Sequence, residues 1–334
     1  MKIFYRFSLC LVLMVFCKGL SAQIDPHFTQ YYVYPSWLNP ALTGAFDGDY
    51  RVSAIYRNQW ANVSAPFTTP GVSVDFAGNK NLNYGVSALN QTAGDGGYQY
   101  LTAHGSLAYT GVRFGTNGNQ RVVFGMQAGI INRRFDRSKF TFGDQYNPTT
   151  GFSPGNPSMD IPTVNQSLVL DIGAGVLYYD AQPGKKANIY GGFSVAHLNQ
   201  PEDAFVQNRK EKLPMRFTVH GGVRLVLSDV LSFTPNLMYT RQGNAEEKMI
   251  GGYVQLKAIE NTEVLLGTNV RLKDAISPFV GFYHKNMVLG VSYDITTSDL
   301  RTVARSASSF EISLSFIGRK SVKTPGENFI CPRL

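Results

Sequence analysis

The chain has little cysteine. Cys10 and Cys17 fall in an apolar leader and only Cys331 lies beyond it, which excludes an intramolecular disulfide framework. Charged residues make up 16% of the sequence and no long basic block occurs, so nothing marks a nucleic-acid binder. Past the leader no apolar run approaches the roughly 20 residues that a membrane-crossing helix needs. The five histidines, His27, His104, His197, His220 and His284, are dispersed without paired metal spacing, and no nucleophile elbow, P-loop or zincin motif occurs. No cofactor is expected. Helical periodicity is scarce as well.

Residues 1–22 read as a secretory signal. Lys2 and Arg6 precede an apolar run from Leu9 to Phe16, and Gly19-Leu20-Ser21-Ala22 leads to a cut before Gln23. Cys17 invites a lipoprotein reading, but Phe16 is too large for the position before a lipidated cysteine. Loss of Lys2, Arg6 and Lys18 lowers the formal charge by three from +8, a mild excess that favours an anionic surface or partner.

Glycine (33), tyrosine (18) and phenylalanine (22) are abundant, and the chain alternates with period two. Val52, Ala54 and Tyr56 oppose Arg51, Ser53 and Arg57. Val72, Val74 and Phe76 oppose Ser73 and Asp75, and Leu101, Ala103, Leu107 and Tyr109 oppose Thr102, His104 and Ser106. The last copy sets Phe310, Ile312, Leu314 and Phe316 against Glu311, Ser313 and Ser315. Such segments number about fourteen and have the length of tilted bilayer-crossing strands. Connections of a few residues, as at Gly78-Asn79-Lys80-Asn81 and Lys285-Asn286, alternate with long ones, as at Phe135 to Ser167 and Asn199 to Leu213. A soluble sandwich could also alternate, and the loop lengths argue for a membrane barrel. The fold class is all-β: a transmembrane antiparallel β-barrel of about 14 strands, closed because hydrocarbon tolerates no unpaired backbone. The expected division is 1–22 signal, 23–48 periplasmic non-strand segment, 49–317 barrel and 318–334 periplasmic tail, in an outer membrane with both termini periplasmic. Pro235, inside a predicted strand, calls for a bulge or kink.

The polar faces then line the interior. Arg51, Arg57, Arg121, Arg133, Arg216, Arg224 and Arg271 point inward, opposed by Asp75, Asp171, Glu263, Asp294 and Glu311, as an internal salt-bridge network or as an anion-favouring pore. His104 and Ser106 share an inward face, which makes a barrel hydrolase conceivable and a lumen polar pair the simpler reading. The tail from Gly318 is polar and basic, either disordered or a docking element. Cys331 is a free thiol or pairs with another chain.

Asp25 to Trp60 is unlike the rest. Pro26, Pro35 and Pro40 deny it regular pairing, yet its aromatics are too many for a solvated linker and need cover. Phe28 to Leu42 is predicted to fold into or under the periplasmic mouth as a plug or docking element, while Asn58, Gln59 and Trp60 reach the outer rim, where Trp60 suits an aromatic girdle. A packed plug with no partner accounts for the stretch equally well.

Asp25-Pro26-His27-Phe28-Thr29-Gln30-Tyr31, Asn39-Pro40-Ala41 with Gly44, and Tyr56-Arg57-Asn58-Gln59-Trp60 resemble the PorP/SprF family of the Bacteroidetes type IX secretion and gliding apparatus. Weaker echoes are Phe142-Gly143-Asp144-Gln145, Leu213-Pro214-Met215-Arg216, Ser292-Tyr293-Asp294 with Ser298 and Leu300, and Phe310-Glu311-Ile312. Gly143 stands where the family usually has proline, and Ser308-Ser309-Phe310 stands where it usually has a Gly-Ser-His run. The resemblance implies a non-enzymatic barrel among outer-membrane lipids. Its partners would be periplasmic secretion-ring or peptidoglycan-binding lipoproteins on one side and a secreted adhesin or cargo protein on the other. The docking or plug element is expected to draw on Asp25, Pro26, Phe28, Gln30, Tyr31, Asn39, Pro40, Arg57, Asn58, Gln59 and Trp60. The alternative is a porin or a hydrophobic-solute-type transporter.

Overall fold

The structure, a computed structural model, describes residues 25–60, 66–78, 81–94, 97–115, 118–153, 155–156, 158–159, 165–202, 212–298 and 308–319. The expected signal peptide, Cys331 and all but the first two residues of the tail lie outside them. The strands are β1 Tyr50–Gln59, β2 Phe67–Phe76, β3 Leu82–Ala93, β4 Tyr98–Phe114, β5 Gln120–Arg134, β6 Tyr146–Asn147, β7 Gly151–Phe152, β8 Gln166–Asp180, β9 Ala187–Ala196, β10 Arg216–Val226, β11 Leu231–Gln242, β12 Ala245–Ile259, β13 Thr262–Arg271, β14 Ala275–His284, β15 Met287–Thr296 and β16 Ser308–Gly318. All but β6 and β7 form one closed antiparallel barrel of 14 strands, sealed where β1 meets β16. The β6–β7 hairpin belongs to the long connection after β5.

Alternation decides which face is which. Val72, Val86, Met126 and Leu170 are more than half exposed and point outward, whereas Ser53, Ser73, His104 and Asp171, one position away in register, are buried inside. An apolar outer belt around a polar interior fits hydrocarbon, not water. The connections sort by end. The connections after β2, β4, β8, β10, β12 and β14, each only a few residues long in sequence, leave from one end of the barrel, a uniformly short-turn end. The connections after β1, β5, β9 and β15, which are long in sequence, leave from the strand ends at the other, together with the short ones after β3, β11 and β13.

Pro235 produces no bulge. Gly222 pairs with Asn236 and Leu225 with Phe233, so the β10–β11 register is the same on both sides of the gap, and Pro235 still pairs with Gly252 of β12. The missing amide interrupts one ladder and shifts nothing. Pro70 between β2 and β3, and Pro278 between β14 and β15, interrupt their ladders in the same way. A closed ring holds each strand from both sides, which lets it absorb a lost bond.

Residues 25–49 occupy the lumen. They include one helical turn, Pro35–Leu38, and a 3-10 turn, Pro40–Leu42. Phe28, Tyr31, Tyr32, Val33, Tyr34, Leu38, Ala41 and Leu42 are all buried, in one cluster with Ile55, Leu89, Tyr100, Leu177 and Tyr253 of the barrel wall. The sequence reading places Phe28–Leu42 in or under the short-turn mouth. The structure corrects it. Asp25 bonds to Tyr100, His197 and Arg216 at the long-loop end, and the Asp49 amide donates to the Gly318 carbonyl at the short-turn end (2.9 Å). The segment therefore runs the length of the barrel, because its polar backbone finds partners along the whole inner wall.

Candidate functional site

The site is the contact between this segment and the inner wall. Its tightest part centres on Glu311 of β16. The Thr29 amide donates to one carboxylate oxygen (2.6 Å) and the Gln30 amide to the other (2.9 Å). Arg57 of β1 donates to the same carboxylate and to Asp294 of β15 (2.8 Å), which also accepts from the Thr29 hydroxyl (2.8 Å) and from Arg271 of β13 (2.6 Å). The Gln30 side chain donates to Ser292 (3.2 Å) and accepts from Ser313 (2.7 Å), and Asn269 donates to the Thr29 carbonyl (3.1 Å). Arg57 and Glu311 are almost wholly buried, so each depends on the other and on the segment for its solvation.

A second anchor holds the outer end. The Asp25 carboxylate accepts from Arg216 (2.8 Å), His197 (2.8 Å) and Tyr100 (3.1 Å). The Arg216 guanidinium lies 4.2 Å over the Trp37 ring and also donates to the Trp37 carbonyl (2.9 Å). The other ring nitrogen of His197, the first residue past β9, faces Asp171 at 2.7 Å. Burial disfavours its charge, but Asp25 and Asp171 outweigh burial and raise its pKa to about 9. With a carboxylate at each ring nitrogen, His197 is an imidazolium that donates to both.

The third anchor is steric. Asn39 caps the 3-10 turn by accepting from the Ala41 amide (2.9 Å) and donates to the Val176 carbonyl (3.0 Å), while Ser194 donates to the Leu38 carbonyl (2.7 Å). The turn reaches the wall because two strand positions carry no side chain. A Cβ at Gly175 would stand 2.1 Å from Asn39 Oδ1, and one at Gly125 would stand 2.2 Å from the Ala41 nitrogen. Lower down, Asp75 accepts from the Gly44 amide (2.7 Å) and pairs with Arg51 (2.7 Å), which also donates to the Leu42 carbonyl (3.2 Å).

The structure thus gathers Asp25, Pro26, Phe28, Gln30, Tyr31, Asn39, Pro40 and Arg57, with the lumen residues Arg51, Arg216, Asp171 and Glu311, around one segment. The Trp37 indole donates to the Pro26 carbonyl (3.0 Å), and Tyr31 donates to Asn236 (2.9 Å). Asn58, Gln59 and Trp60 stand apart at the long-loop rim, where Trp60 meets Phe67 edge-on with centroids 5.2 Å apart. Arg121 faces Tyr179 instead (3.4 Å), and Arg224 lies near the short-turn end of β10. His104 and Ser106 go separate ways: His104 bonds Asp171 (2.8 Å), and Ser106 accepts from Thr43 (2.9 Å). Asp144, in the longest loop, accepts from Ser158 and the Met159 amide, and these bonds hold its carboxyl below the usual range. Among the described residues no group of His, Cys, Asp or Glu is arranged to hold a metal. His197, Gly125 and Gly175 escape sequence reasoning, for their partners lie far away in the chain and no local pattern marks them.

At the long-loop mouth Phe28, Tyr31 and Trp37 line a cleft with Met238, Arg216 and Glu247 of the wall.

Two solved barrels are similar in fold. The toluene transporter TbuX of Ralstonia pickettii is 12% identical with a TM-score of 0.50, over 84% of this chain and 92% of that one. The Pseudomonas putida toluene transporter TodX is 8% identical with a TM-score of 0.50, over 84% and 93%. At such identities the likeness shows an outer-membrane type of barrel and no more. No curated protein matches the sequence. The family model described as type IX secretion system membrane protein PorP/SprF matches residues 20–316, the lumen segment and all but the last two residues of the barrel, and the chain belongs to that family.

Proposed function

We propose that this barrel is a non-enzymatic holder of the type IX secretion and gliding apparatus, one that supports the secretion or surface anchoring of a particular cargo protein. The observation that carries the reading is the occupied lumen. Residues 25–46 fill it and are tied to the wall at every level, which suits a scaffold better than an open pore. With the short turns in the periplasm, periplasmic lipoproteins of the machinery would meet the short-turn end, and a secreted adhesin would meet the long loops. The cleft beside Trp37 is the proposed place for that second contact.

Deleting the gene should abolish secretion or surface retention of the cargo and leave small-solute uptake unchanged. Normal display of every secreted protein in the deletion strain would refute the proposal. The apolar lining of the cleft favours a second reading, a transporter of hydrophobic solutes. Steady conductance of the purified barrel in a planar bilayer, or a solute-uptake defect in the deletion strain, would support that reading instead.

A further inference from the structure

We propose that Thr29 and Gln30 are the register key of the barrel's closing seam, so that the lumen segment is the template on which β16 meets β1. In a barrel each strand is held to the next by the connection between them, which limits both the entropy of pairing and the choice of register. β1 and β16 alone are neighbours without a connection. They lie at opposite ends of the strand sequence, and their alternating faces would tolerate a slip of two residues with every side chain still on its proper side. Something other than a turn must choose.

The choice is legible in what the segment touches. Arg57 and Glu311 are direct partners across the seam, as are Ser53 and Ser315 with hydroxyls 3.0 Å apart. Glu311 spends both carboxylate oxygens on the Thr29 and Gln30 amides, and Ser313, two positions on, donates to the Gln30 side chain. Thr29 and Gln30 also reach Asp294 and Ser292 on β15. The two residues therefore grip the β15–β16 hairpin at four positions, while Arg57 of β1 bonds to the Thr29 hydroxyl (3.1 Å). A slip by two would bring Ser313 or Ser309 to the place of Glu311. The two amides and the Arg57 guanidinium would then lose their common carboxylate, an uncompensated burial. The segment is also covalently continuous with β1, so it belongs to one side of the seam, and the β15–β16 hairpin on the other side is read against it.

The test uses the full mature chain in a Cys331→Ser background, refolded into lipid vesicles. Ser53→Cys with Ser315→Cys reports in-register closure through disulfide formation under mild oxidant. Ser53→Cys with Ser313→Cys reports the slipped seam. Gln30→Ala is the decisive variant, because it alters the lumen segment and neither strand of the seam. It should slow the in-register cross-link by about threefold to tenfold, as expected for the loss of one or two buried hydrogen bonds, and raise the slipped one. Glu311→Gln should slow it further. Ser194→Ala, which frees the Leu38 carbonyl on the opposite wall, should leave the cross-link rate unchanged and so separates register selection from general loosening. In-register closure at the unsubstituted rate in Gln30→Ala would overturn the proposal. So would equal slowing by Gln30→Ala and Ser194→Ala.

Discussion

The two walls of the barrel hold the lumen segment by different physics. On the seam side, β13, β15, β16 and β1 present charged side chains: Arg57, Arg271, Asp294 and Glu311 surround Thr29, and most of the bonds there include one of them. On the opposite side, β5, β8 and β9 present bare backbone, and Asn39 and Ala41 approach over Gly125 and Gly175. Charge makes the first wall directional and intolerant of a missing member. Close approach makes the second tolerant of lost polarity and intolerant of added volume.

The largest expected effect breaks the charged wall. Glu311→Ala leaves Arg57 buried without its main partner and should destabilise the folded barrel by about 3–5 kcal/mol, measured as the shift in denaturant midpoint in detergent. Gly175→Val attacks the other wall. The added atoms collide with Asn39 and should cost about 1–3 kcal/mol while leaving the seam cross-links intact. If Gly175→Val proved as harmful to the seam as Glu311→Ala, the two walls would not be distinct.

The smallest effect sharpens the comparison at the outer end, where charge and burial meet in His197. Its pKa is raised from 6.5 to about 9 in the folded chain. The stability it contributes is therefore fully present below about pH 6.5 and is lost as pH rises through about 9. Between those limits the barrel should lose stability progressively, and His197→Gln should flatten that part of the profile. A flat profile in the unsubstituted chain would mean that Asp25 and Asp171 do not share a proton-bearing ring.

Much of the barrel is legible in the sequence because its signals are local. Val52, Ala54 and Tyr56 alternate with Ser53 and Arg57 within one strand, and the period alone assigns their faces. The rings of Phe28, Tyr31 and Trp37 likewise announce that the segment needs cover. What covers them is illegible. Asp25 finds Tyr100, His197 and Arg216, residues from separate strands and loops, and nothing in a linear pattern ranks these above Arg121 or Arg133. The direction of the segment is lost for the same reason, since the fold fixes it through pairs such as Thr29 with Glu311. Pro235 shows the reverse failure, a local signal for a bulge that the closed ring overrides.

The lumen segment is a standing part of the folded barrel, seated from mouth to mouth. Hydrogen exchange of the Thr29 and Gln30 amides in the refolded protein tests this most directly. Both amides should exchange as slowly as interior strand amides such as that of Leu89, and should open only with the barrel itself. Exchange of Thr29 and Gln30 at the rate of an open loop, with the strands still protected, would contradict it.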